Sequence, residues 1–160
     1  MRRRSMLVAF AVAAVLSIGI QASRADEQRL AISGYDPVAY FTDHKPVPGL
    51  SGIEYAWHDA RWHFATAAHR DLFARDPDHY APQYDGYCAL GAAKGNEAHK
   101  DIVDPNAWAI VDGKLYLTHS PEALAKWQQN PRENIKRADE DWPKVEKQAV
   151  VYDGYPNVLK

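Results

Sequence analysis

The chain has 160 residues, with 19 Lys+Arg against 21 Asp+Glu and a single cysteine. Beyond its first 25 residues the chain leans acidic and has no basic cluster, which makes it a poor candidate for nucleic acid or for an anionic membrane surface. One cysteine excludes an internal disulfide, and the length predicts one domain with one core.

The first 25 residues read as a targeting segment. Arg2-Arg3-Arg4 is a basic n-region, Met6 to Ile20 is an uncharged apolar run, and Ser23-Arg24-Ala25 offers small residues for cleavage after Ala25. The apolar run is short for a membrane span, which needs about 20 residues. Cleavage removes four arginines and no acid, which leaves 135 residues with 15 Lys+Arg and 21 Asp+Glu, a formal charge of −6. The expectation is a periplasmic protein with no membrane segment after cleavage. Export by the general secretory route or, from Arg3-Arg4-Ser5-Met6-Leu7, by the twin-arginine route stays open.

Residues 26–33 are a polar lead-in. Asp36 is a natural N-cap and Pro37 suits a first helical position, so Gly34 to Phe41 predicts a turn or two of helix. Lys45 to Gly49 is a turn-rich connector. Ile53 to Trp57 alternates apolar and polar, and His58-Asp59-Ala60 turns the chain into a strand over Arg61–Phe64, a first hairpin. In that strand Trp62 and Phe64 point one way and His63 the other. Thr66 then caps a helix over Ala67–Arg75, which Asp76-Pro77 ends or resets.

Gly86 to Gly95 suggests a short helix bounded by glycines, followed by a loop over Asn96–Asn106. Ala107 to Val111 and Lys114 to Thr118 flank Asp112-Gly113, the strongest short hairpin signal. Ser120 caps a helix to about Gln129, and Pro131 opens another that Trp142-Pro143 stops near Asp141. Residues 144–160 are a tail, with a late strand or a loosely held end from Gln148. The sum is a small α+β single domain: two β-hairpins in an antiparallel sheet, packed with short helices.

The motifs GYDPVAYF, a hairpin ending in WHF, a short helix with LF, DPDHYAP, PQYDGYCALG, DPNAWAIVDGKLYL and DEDWP together resemble the YHS domain in its secreted or periplasmic bacterial branch. The resemblance covers residues 34–143. It implies a module for soft metals, since the family's short members accompany copper-transporting ATPases and are presumed to bind heavy metals through cysteines. It implies ligands at three positions, and this chain departs from the pattern at each: Ala39 and Ala65 stand where metal-associated members carry cysteines, and His69 stands at the third. Alanine has no lone pair to donate. Metal binding is then either lost or rebuilt from His69, His63 and Cys88, with a copper or zinc ion as the cofactor to expect, because thiolate and imidazole favour soft ions.

Three functions follow. One is a soft-metal handling module that works with a protein or metal-handling partner. A second is an accessory module that keeps the fold and binds no metal. A third is a thiol enzyme with Cys88 as nucleophile and a histidine as base. Each candidate has a bland counterpart: His63 as a half-exposed sheet histidine, His69 as a ring packed on Phe73, Cys88 as a small buried hydrophobe. His44, His58, His79 and His119 flank turns and His99 sits in a loop, so none is singled out.

Overall fold

A computed structural model describes residues 28–100 and 102–148. The expected targeting segment and the chain after Gln148 lie outside the described residues. No helix among the described residues is long and apolar enough to cross a membrane.

The chain is α+β, as the pattern of its elements predicts. Its strands are β1 (Arg29–Leu30), β2 (Leu50–Trp57), β3 (Ala60–Phe64), β4 (Trp108–Val111) and β5 (Lys114–Leu117). Its helices are α1 (Ala39–Thr42), α2 (Ala67–Arg75), α3 (Pro77–Tyr80), α4 (Ala89–Ala92), α5 (Pro121–Trp127) and α6 (Pro131–Val145). Both hairpins form, but they do not share a sheet. β3 lies between β1 and β2 in a mixed three-stranded sheet, and among the described residues β4 pairs only with β5. The lead-in supplies the unexpected strand: Arg29 and Leu30 run parallel to β3, opposite Ala60 and Arg61.

The second hairpin stands apart because each of its faces packs on a core, with β5 buried from Leu115 on and β4 half-buried. Leu115, Leu117, Trp108 and Ile110 belong to a core with Trp62, Phe64, Phe73 and Cys88. Tyr116, Ala109 and Val111 belong to a second core with Tyr84, Trp127 and Ala138. The period of two in a strand therefore divides the apolar side chains between two clusters. A ribbon packed on both sides serves as a wall between cores and needs no third strand.

The local signals act as their chemistry predicts. Thr66 Oγ1 accepts from the His69 N–H at 3.1 Å and starts α2. Asp76 caps α3, and Ser120 Oγ accepts from the Ala123 N–H at 3.1 Å to start α5. Asp112 and Gly113 have φ of 50° and 76°, the paired left-handed values of a type I′ turn. Phe73 on α2 is the hub of the first core, with ring centroids 5.3 Å from Trp62, 5.3 Å from Phe64 and 5.8 Å from Trp57.

Helix α6 is a correction. Trp142-Pro143 does not stop it; the helix continues to Val145. Pro143 removes one N–H in the last turn, where the loss is smallest. Trp142 packs on Tyr84 with ring centroids 5.5 Å apart, and Val145 is buried, so the packed face carries the helix past the proline.

Candidate functional site

The stretch from Arg61 to Cys88 holds the three candidate ligands, and each has its own surroundings. His69 lies in the first turn of α2, one turn after the cap. Its Nδ1 is 2.7 Å from Asp36 Oδ2. Asp36 is fully buried, and its other contacts are backbone donors: Val38 N–H to Oδ1 at 2.9 Å and Ala65 N–H to Oδ2 at 2.8 Å. A carboxylate oxygen only accepts, so Nδ1 carries the hydrogen and Nε2 is the remaining ring nitrogen. Thr42 Oγ1 lies 3.5 Å from Nε2 and donates to the Val38 carbonyl at 3.2 Å.

Asp36 thus does more than cap a turn. It joins the chain before α1, the end of β3 and the start of α2 through one carboxylate. The neighbouring positions that the resemblance assigns to thiolates are methyl groups: Ala39 is fully buried and Ala65 is half-buried beside the same carboxylate. His69 is not a ring packed over Phe73; it closes a polar clip.

His63 is buried rather than half-exposed, at 9% of its full accessibility. It faces away from Trp62 and Phe64, as the strand period requires. Gly49 makes this possible, because a Cβ there would stand 2.6 Å from the His63 backbone carbon. Among the described residues its Nε2 has no hydrogen-bond partner, and Glu54 Oε2 lies 3.8 Å away, beyond hydrogen-bond range. Burial holds the imidazole below its ordinary pKa, against a smaller opposite pull from Glu54.

Cys88 is fully buried at the N-terminal boundary of α4, in the core that holds Leu115 and Leu117. Its Sγ lies 3.3 Å from His119 Nδ1. His119 is placed by the junction of β5 and α5. Before it, the Thr118 N–H donates to the Ala107 carbonyl at 2.9 Å and Thr118 Oγ1 to the Ser120 carbonyl at 3.0 Å; after it, Ser120 caps α5. Sequence reasoning set His119 aside as a turn residue. The missed signal is the strand period: Leu115, Leu117 and His119 are spaced two apart and turn toward one core, where Cys88 sits.

His69, His63 and Cys88 therefore each lie near a different polar residue: Asp36, Glu54 and His119. Among the described residues no group of three or more His, Cys, Asp or Glu is arranged to hold a metal ion. The positions implied by the resemblance offer one imidazole and two methyl groups, so they do not fit a thiolate site. The Cys88–His119 pair is the arrangement with soft-donor chemistry: a sulfur ligand and an imidazole side by side, or a thiol with a base beside it. Comparisons of the chain with family models, with curated proteins and with solved structures find no match.

Proposed function

We propose that this chain is an exported YHS-like module that handles a soft metal ion, with Cys88 and His119 as its donor pair. One observation carries the reading: the thiol sulfur, itself in an apolar core, lies 3.3 Å from the nitrogen of a half-buried imidazole. Sulfur selects soft ions, and an apolar surround disfavours strongly hydrated hard ones. Structural zinc sites take four protein ligands and catalytic ones three. The two donors found among the described residues fall short of either, and sulfur beside imidazole suits Cu(I). The basic, then apolar, N-terminal segment supports export, and a metal-handling partner would deliver or receive the ion.

The Asp36–His69 clip supports a second reading, a module that keeps the fold and carries no metal. There the position that could have kept a ligand is spent on holding three elements together.

Titration of tag-free protein with Cu(I) against a colorimetric Cu(I) chelator separates the two. Under the metal reading the wild type takes one equivalent, Cys88→Ala takes none, and His119→Ala binds at least about tenfold more weakly. A wild type no better than Cys88→Ala leaves the accessory reading standing.

A further inference from the structure

We propose that the cavity at the seam of the two cores binds an aliphatic ammonium cation, a diamine by preference. The cavity has a volume of about 270 Å³ and is bounded by Trp57 at the end of β2, by Tyr84, and by Trp142 on α6. Asp78, Asp85 and Asp139 line it as well, and among the described residues no lysine, arginine or histidine does. Aromatic faces attract a cation through the ring quadrupole, and carboxylates supply the opposite charge. Three carboxylates in the lining disfavour an anion, and a neutral apolar ligand gains nothing from them.

The walls are held in place by their own contacts. Tyr84 OH donates to Asp139 Oδ1 at 3.0 Å, and burial beside that carboxylate pushes the phenol pKa up, so the ring stays neutral. The His58 ring stacks on Trp57 at 3.7 Å, and its Nδ1 lies 3.0 Å from Asp85 Oδ1. Tyr84 and Asp85 both adopt left-handed φ, 59° and 52°, which places their side chains on the rim at a cost in backbone strain.

The spread of charge selects the kind of cation. The three carboxylates come from α3, from the turn after it and from α6, and they form no cluster tight enough for a metal ion. An extended organic cation can reach separated carboxylates while its methylenes lie against the indole rings, which a compact ion cannot do.

Calorimetric titration of the protein with 1,4-diaminobutane tests this, with 1,4-butanediol and calcium chloride run alongside. The expected result is saturable binding of the diamine that weakens with added salt, and no binding of the diol. The double variant Asp85→Asn, Asp139→Asn should bind about tenfold more weakly or worse. Asp78→Asn, at an exposed position, should weaken binding several-fold and serves if the double variant does not fold. No binding of the diamine, equal binding of the diol, tighter binding of calcium, or unchanged affinity in a folded charge variant would each overturn the proposal.

Discussion

The Asp36–His69 pair and the Cys88–His119 pair each set an imidazole against a buried group, yet they differ in what surrounds that group. Asp36 accepts from two backbone N–H groups and from His69, so three chain segments are tied together through one carboxylate. Cys88 sits among aliphatic and aromatic side chains, with a weak sulfur donor–acceptor next to a ring nitrogen. The first arrangement is costly to disturb because each donor it satisfies is stranded when the carboxylate goes. The second can lose its sulfur with little harm to the fold. One imidazole ties backbone segments together, and the other meets a thiol.

That contrast sets the order of expected effects. Asp36→Ala removes the carboxylate and leaves the Val38 and Ala65 N–H groups and His69 Nδ1 without their acceptor. It should cost about 3–5 kcal/mol, read as a drop in the urea midpoint. His69→Ala keeps the carboxylate and its two backbone donors but strands its third contact, and should cost about 2 kcal/mol in the same experiment. Cys88→Ala should cost about 1 kcal/mol, the loss of one small apolar atom from a core. A cost for Cys88→Ala equal to that of Asp36→Ala would erase the distinction between the two pairs.

His63 sharpens the comparison from a third side, as a buried imidazole whose Nε2 finds no hydrogen-bond partner among the described residues. Its folded pKa lies below the ordinary value of about 6.5 because burial disfavours the charged form. The unfolded chain therefore binds the proton more readily. The contribution of His63 is fully present above about pH 6.5 and is lost as pH falls from there through the depressed folded value. Stability measured from pH 7.5 to 5 should decline, and His63→Gln should flatten the decline. An equal decline in that variant would assign the effect to other groups.

Much of the fold was legible because local chemistry decides it. Thr66, Asp76 and Ser120 cap the helices their positions announce, and Asp112-Gly113 makes the turn that its tolerance of positive φ allows. Pairing between distant segments was not legible. A two-residue strand at Arg29–Leu30 has too little pattern to announce itself, and nothing in Trp108–Leu117 says that both faces of the ribbon pack on a core. The same limit applied to the sites. Asp36 read as a cap, and its tie to Ala65 and His69, 29 and 33 residues on, has no local signature. His119 was within reach, since a strand period carried two residues past Leu117 turns it toward the core of Cys88.

The X-ray absorption spectrum of the protein loaded with one equivalent of Cu(I) tests the central claim most directly. With Cys88 and His119 as the donors, the spectrum shows one sulfur and one imidazole around copper, and His69→Ala leaves it unchanged. A copper environment of nitrogen and oxygen alone, or one that His69→Ala alters, would contradict the account.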